Sequence, residues 1–457
     1  MAYGLADVAG ATSYNTINFH LLFFLVSALR LNPALAGTVL LMGRVIDAVT
    51  DPLMGMLSDH WRARGGSRLQ VVRWGMVPFG VSFALIWWLP PLEPSGNMTW
   101  LFIAAAALLT LHTSIFTVVQ VSYLAMTPAL APEYHERTSL TSYRVVLSTV
   151  AALLAAALPP WLVAVFSQDS VPTRGWQLLG TAFAVLMVVC FVPFVMSLSE
   201  PRLPDTDLLD TDLPDTDLPK TGVRPEPADV NLLALLRRVL AVRGYARVTL
   251  IFVLATLGSG TLSSMLPFYL DSVLGFTGDV ATLSLGLVFV AAAGSMPLWT
   301  RLARNKGKSA SLALGAGLIA ASLSTLAFVP LLAFVPLQVG LSVPLAALAL
   351  TTGVGLGAIL LFPWAMLPDI VSDDAARSGR EQSGTLYAFF TFAQKTAFAA
   401  GAFVNGQVLA ISGFDADAAV QTASAITGIT VMVGVVASGC FVLTAWAAKR
   451  YAELSER

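Results

Sequence analysis

Twelve runs of roughly 20 or more mainly apolar residues fill most of this chain, and each is long enough to cross a bilayer core as a helix. They lie near 8–29, 34–58, 70–92, 99–128, 138–166, 176–198, 246–271, 279–301, 309–332, 336–366, 384–412 and 419–448. A barrel strand needs only about 9–11 alternating residues, so runs of this length predict helices. The 457-residue chain is 56% apolar and 12% charged, about half the charged share of a soluble domain, and no part of it reads as a soluble catalytic domain. The fold class expected is an all-α membrane protein of twelve transmembrane helices in two sets of six. The first set spans 1–198, a cytoplasmic linker spans 199–245, and the second set with its tail spans 246–457. MAYGLADVAG lacks the basic stretch of a cleavable signal, so the first run is expected to remain a span.

Basic residues give the orientation. The turns after helices 2, 4, 6, 8 and 10, with the C-terminal tail, hold nearly all of them, including Arg62, Arg64, Arg68, Arg73, Arg301, Arg304, Lys306 and Lys308. The opposite turns hold Arg30 and Arg174. The positive-inside bias then puts both termini in the cytoplasm of a multi-pass protein of the cell (inner) membrane. The net charge of −1 hides this sidedness and offers nothing to nucleic acid. Cys190 and Cys440 fall inside apolar runs, so packing rather than a disulfide or a cysteine metal site is expected. The linker repeat LPDTDLLDTDLPDTDLP (203–219) has the D-x-D of a calcium loop without its glycine turn or closing glutamate, which predicts a solvated linker. NLLALLRRVL (231–240) reads as a short surface helix. GMLSDHWRARGGSR (55–68) and MPLWTRLARNKGKS (296–309) echo each other at matching places in the two halves, as a duplicated transporter would.

RVIDAVTDPLMG (44–55) is where the chemistry concentrates. Each uncompensated charge in such a span costs at least about 2.5–3.5 kcal/mol. Arg44, Asp47 and Asp51 stand at i, i+3 and i+7, within one helical stripe. Two carboxylates a turn apart repel unless one is protonated or a cation lies between them, so the pair reads as a switchable cation site. Hard monovalent cations prefer oxygen, and Thr50 beside the pair with Thr117 on helix 4 could supply it. Pro52 deprives the carbonyl of residue 48 of its helical donor, another acceptor. A blander reading, in which Arg44 only neutralises one acid near the membrane surface, leaves the other acid unexplained.

Other charges sit in or beside spans: Asp7 before helix 1, Arg144 opening helix 5, and Lys395 in the middle of helix 11. Lys395 lies too deep to snorkel easily, and the aspartate pair is its expected partner, either as a fixed tie between the halves or as one that breaks during transport. Asn15, Asn18, His20, Thr113, Gln120, Tyr123, Tyr143, Tyr387, Thr391 and Gln394 could face the same cavity. Hydroxyls in spans often bond only their own helix, and His20 reads as a satisfied core histidine.

RVIDAVTDPLMGMLSD, VSYLAMTPALAPEYHERTSLTSYR (121–144), AMLPDIVSDD (365–374) and SGTLYAFFTFAQK (383–395) together resemble the glycoside–pentoside–hexuronide:cation symporters, the melibiose permease-like carriers of the major facilitator superfamily. The match runs in the same order along most of the chain. The resemblance implies two pseudo-symmetric six-helix bundles around a central site worked by alternating access. It implies Na⁺, Li⁺ or H⁺ binding at Asp47 and Asp51, with Thr50 and Thr117 completing the cation site, and it matches Arg144 and Lys395 to the family's helix-5 arginine and helix-11 lysine. The acids that hold sugar hydroxyls in melibiose permease-like carriers fall on Ala11 and Gln120, and the stacking tryptophan falls on Leu124, beside Tyr123. A sugar would then be held through Gln120, Tyr123, Arg144, Lys395, Trp364 and Asn18, with Arg44, Asp59, Asp369 and Asp373 as gating or structural groups. No cofactor beyond the coupling ion, a monomer, and a small-molecule substrate are expected.

Two alternatives stand beside this. Related sodium-dependent lysophospholipid symporters share the cation pair, and an anionic or zwitterionic headgroup would suit Arg144 and Lys395. An intramembrane prenyltransferase would use two D-x-x-x-D motifs to hold Mg²⁺ and a diphosphate, here Asp47/Asp51 and Asp369/Asp373. The second pair, in a turn rich in Arg377, Arg380 and Glu381, reads more simply as a solvated gating network.

Overall fold

The computed structural model describes residues 2–64, 66–92, 96–124, 126, 134–166, 173–197, 239–276, 278–328, 343–378, 383–418 and 420–455. The acidic repeat at 203–219 and residues 231–238 of the surface helix expected over 231–240 lie outside these, as do the side chains of Pro52, Asp59 and Tyr143. In the first half α1 is Ala2–Phe23, α2 Pro33–Ala63, α3 Arg68–Trp87, α4 Met98–Leu124, α5 Tyr134–Phe166 and α6 Arg174–Ser197. In the second, α7 is Tyr245–Phe268, α8 Gly278–Lys306, α9 Lys308–Leu326, α10 Val343–Ser378, α11 Ser383–Ile411, and α12 runs from Ala423 to Ser455. Among the described residues nine of the helices are long and apolar enough to cross a membrane by length and composition alone; α1, α2 and α11 are not among them. Those three carry Asp7, Asn18, Arg44, Asp47, Asp51 and Lys395. Polarity that makes them poor spans in isolation is turned inward.

Each half packs as its own bundle. In the first, α1 lies against α5 and α6, α2 against α4, and α3 against α4 and α6. In the second, α7 lies against α11 and α12, α8 against α10, and α9 against α10 and α12. Across the halves α2 meets α11, α5 meets α8 and α1 meets α7. Exposed Trp61, Trp74 and Trp446 mark the end near the chain termini, and exposed Trp88 and Trp100 mark the far end, as aromatic belts do at two membrane surfaces.

The duplication shows in how α1 and α7 finish. Each ends in a wide π turn, Phe24–Ala28 and Tyr269–Val273. The chain then closes on matching carbonyls, Leu31 N to Leu25 O at 2.9 Å and Phe276 N to Leu270 O at 2.7 Å. The residue before each donor is left-handed. In the second half it is Gly275 at φ 67°, the expected choice for such a helix end. In the first half it is Arg30 at φ 60°, a conformation unfavourable to a residue with a Cβ. Its guanidinium crosses to Asp417 of the other bundle at 2.6 Å.

At that far end α2 and α11 also meet backbone to backbone. A Cβ on Gly406 would lie 2.4 Å from Pro33 O and 2.9 Å from the Cα of Gly37, so the two glycines let the backbones touch. Gln407 Nε2 donates to Ala34 O at 3.2 Å across the same crossing. Phe23 and Phe268 meet edge to face at 5.0 Å, joining α1 to α7. The bundles are therefore clamped at the end remote from the termini.

Candidate functional site

Midway along α2, Asp47 is buried at 1% side-chain exposure and Asp51 is 30% exposed. Thr117 on α4 places one hydroxyl 3.0 Å from Asp47 Oδ1 and 2.9 Å from Asp51 Oδ1. A hydroxyl has one proton to donate, so it can satisfy only one of the two carboxylates. Three oxygens thus converge with one contact lacking a hydrogen, which is the kind of place a small cation completes.

From the opposite bundle, Lys395 on α11 brings Nζ 2.9 Å from Asp47 Oδ2 and into hydrogen-bond contact with Asp51 Oδ2. Arg44 adds a weaker contact, Nη1 at 3.4 Å from Asp47 Oδ2. Its other nitrogen donates to Asn18 Oδ1 on α1, and the guanidinium stands 4.7 Å over the ring of Tyr14. Two acids and two cations balance here, and one of the cations comes from the other half of the molecule. Thr50 Oγ1 bonds the Asp47 carbonyl at 3.4 Å, within its own helix. Beside the cluster lies a small pocket whose walls include Ser13, Tyr14, Asn18, Asp47, His112 and Thr113.

A model of the family described as MFS/sugar transport protein matches residues 2–452. The chain belongs to this family. The resemblance carried by the helix-2 and helix-11 motifs is thereby confirmed over nearly the whole length. The chain is 27% identical to the inner membrane symporter YicJ of Escherichia coli, covering 100% of this chain and 91% of that protein. It is 25% identical to the sodium-dependent lysophosphatidylcholine symporter 1-A of Danio rerio, covering 89% of this chain and 76% of that protein. It also superposes on the inward-open xylose transporter XylE of E. coli with a TM-score of 0.61 at 12% identity, covering 97% of this chain and 93% of that one, a likeness of fold. The protein thus has the major facilitator fold of two six-helix bundles.

The structure of this MFS sugar-transport family member distributes the remaining candidate residues as follows. Asp7, Gln120 and Arg144 form a second polar group, with Gln120 Nε2 donating to Asp7 Oδ1 at 3.2 Å and Arg144 Nε standing 3.8 Å from Asp7 Oδ2. Tyr123 is buried against α1, its ring stacked on Tyr3 at 4.6 Å and its hydroxyl donating to Tyr3 O at 2.7 Å. Trp364 on α10 is 39% exposed and packs edge-on against Phe252 and Phe390. Asp369 holds Lys308 at 2.6 Å, tying the start of α9 to α10, and Asp373 holds Arg377 at 2.9 Å within α10. Both of these acids are exposed and engaged by a cationic side chain. His20 is a core histidine whose Nε2 meets Ala156 O at 2.9 Å.

Sequence reasoning missed Ser13, Ser82 and His112. Each is neutral and sits in an apolar run, and the contacts between them join residues 30 and 99 positions apart. No spacing rule signals such a cluster.

Proposed function

We propose that this protein is a secondary symporter that couples a monovalent cation, Na⁺ or H⁺, to the uptake of a small organic solute, a sugar or glycoside, by alternating access. One observation carries the reading: Lys395 of the second bundle is bound to the same two acids, Asp47 and Asp51, that with Thr117 offer oxygens to an ion in the first. An entering cation competes with Lys395 for these oxygens, so ion binding and the contact between the bundles are linked. Thr50, next in the chain to Asp51, belongs to the same ion site. The solute binds beside it, among Asn18, Gln120, Arg144, Trp364 and the released Lys395, with the buried Tyr123 tying α4 to α1 behind them, and the bundles rock about it. Linkage then requires cation and solute to tighten each other by the same factor.

The chain works as a carrier and not as an enzyme, as a monomer in the inner membrane with both termini cytoplasmic. The basic turns and the name of its relative YicJ support that placement. The contacts at the far end support a state shut on the side away from the cytoplasm. Asp59, Asp369 and Asp373 belong to a gating network at the end near the chain termini.

A lysophospholipid or other amphiphile is the second reading. A mainly apolar pocket in the second bundle favours it, lined by Leu262, Leu266, Leu285, Leu348 and Leu356 with Phe19 reaching in from α1. The hydroxyls on its wall are already bonded internally, Ser263 to Ser259 O at 2.7 Å and Tyr269 to Leu326 O at 2.7 Å among them. Purified protein in sealed vesicles, given a panel of sugars, glycosides and lysolipids under imposed Na⁺ or H⁺ gradients, tests both. Accumulation driven by either gradient is expected; equal rates of uptake whatever the gradient would end the symport reading.

A further inference from the structure

His112 on α4 is 1% exposed and stacked on Phe79 at 5.2 Å, yet both ring nitrogens are bonded. Nε2 meets Ser13 Oγ of α1 at 2.8 Å, and Nδ1 meets Ser82 Oγ of α3 at 3.0 Å. Ser82 also bonds the carbonyl of Phe79 at 3.0 Å. A carbonyl cannot donate, so the single Ser82 proton points there, and Ser82 must accept from Nδ1–H. The bare Nε2 then accepts the proton of Ser13. One neutral tautomer satisfies every group.

The two partners of this bond stand at equal offsets from the ion cluster. Ser13 precedes Asn18 by five residues on α1, and His112 precedes Thr117 by five on α4. Asn18 holds Arg44, Arg44 holds Asp47, and Asp47 meets Thr117. The contacts therefore close into a circuit through α1, α2 and α4 in which His112–Ser13 joins α1 to α4, while Gln120–Asp7 and Tyr123–Tyr3 O join the same two helices outside the circuit. Ser13, Asn18, Arg44, Asp47 and His112 of this circuit line one pocket beside Asp47, closed on its other side by apolar residues that include Phe398 of α11.

We infer that His112 is a positioning residue for the cation site: through Ser13 it fixes α4 against α1, and so holds the Thr117 hydroxyl between the two acids. This rests on the ion site proposed above. The contact to Ser82 serves packing against α3 alone.

The two ring nitrogens can be replaced separately. A glutamine carbonyl can reach the ε position and accept from Ser13, whereas an asparagine amide reaches only the δ position and donates to Ser82. The full-length chain in detergent is titrated with Na⁺, choline holding ionic strength constant, and the half-saturating Na⁺ is read from the rise in thermal unfolding midpoint. His112→Asn, His112→Leu and Ser13→Ala are expected to raise it about fivefold, the value of one neutral hydrogen bond. His112→Gln is expected to stay within about twofold of the unaltered chain, a residual geometric loss well below that bond. Ser82→Ala should lower the midpoint without Na⁺ and leave the half-saturating Na⁺ unchanged. Should His112→Leu fail to fold, Ser13→Ala and the Gln/Asn contrast carry the test. The inference is overturned if His112→Gln shifts as far as His112→Asn, or if Ser13→Ala leaves the half-saturating Na⁺ where it was. An unaltered chain with no saturable Na⁺ response would instead overturn the alkali-cation site, and the inference with it.

Discussion

Lys395→Met leaves a side chain of similar length and removes the charge that the second bundle lends to the acid pair. Lys395 is 14% exposed, its Nζ 2.9 Å from Asp47 and bonded to Asp51 as well. At an effective dielectric near 20, unit charges about 3 Å apart attract by about 5 kcal/mol. Removing one partner of a buried pair costs about 3–5 kcal/mol in practice. Because Asp51 is 30% exposed and can be hydrated, the lower figure, about 3 kcal/mol, is the better guide. The ion-free variant should therefore unfold at a lower temperature than the unaltered chain. Added Na⁺ should restore it, because the ion no longer has to displace a tethered competitor. Recovering about 3 kcal/mol corresponds to about two decades in affinity, and water entering the site reduces this to between one and two. The assay is a Na⁺ titration of the unfolding midpoint, paired with gradient-driven uptake in vesicles. Uptake should be lost even as Na⁺ binds more tightly, since binding no longer releases anything in the other bundle. Weaker or unchanged Na⁺ binding in Lys395→Met would refute the claim that lysine and ion compete for the same oxygens.

Asp51→Asn should abolish cation-driven uptake while the protein still elutes as a folded species on size exclusion, because Asp47 keeps both Arg44 and Lys395. Thr117→Val keeps the shape and deletes the hydroxyl between the acids; half-saturating Na⁺ should rise about tenfold or more, the value of a hydrogen bond to a charged group. Gly406→Ala drives a methyl into Pro33 O and the Gly37 backbone, neither of which can swing aside, and should cost about 1–3 kcal/mol in thermal or denaturant unfolding. Arg30→Gly trades an exposed ion pair worth about 0–1 kcal/mol for relief of about 1–2 kcal/mol of left-handed strain. Its unfolding midpoint should hold or rise, and a clear fall would show that the Asp417 latch outweighs the backbone.

The charged part of the site was legible because charge inside an apolar run has few innocent explanations. Asp47, Asp51 and Lys395 announced themselves by cost, and their spacing put the acids on one stripe of α2. The same logic exposed Arg44 and Arg144. Neutral groups carry no such penalty once bonded, so the Ser13–His112–Ser82 cluster looked like any other apolar helix content. Nor does the sequence mark Asn18 as an anchor for Arg44, since an amide's partner depends on how α1 is rotated. The helices themselves were legible from length and apolarity. Their matched endings were not, because a π turn followed by a left-handed residue has no signature when the second half uses Gly275 and the first uses Arg30.

The asymmetry between the halves follows from what a coupled carrier must avoid. If both bundles carried an acid pair, each could hold an ion alone and neither would report occupancy to the other. Here the positions corresponding to Asp47 and Asp51 in the second half are roughly Val288 and Ala292, both buried and apolar. That half contributes Lys395 instead. Without an ion the cluster of Asp47, Asp51, Arg44 and Lys395 balances two negative charges against two positive, so it can sit in the low-dielectric centre. Adding a cation while Lys395 stays would leave a net positive charge there, which burial opposes. Lys395 must then withdraw or the ion must leave. Because Lys395 rides on α11 and the acids on α2, that choice acts on the contact between bundles that alternating access has to break, and at its far end the same pair of helices is clamped by Gly37 and Gly406.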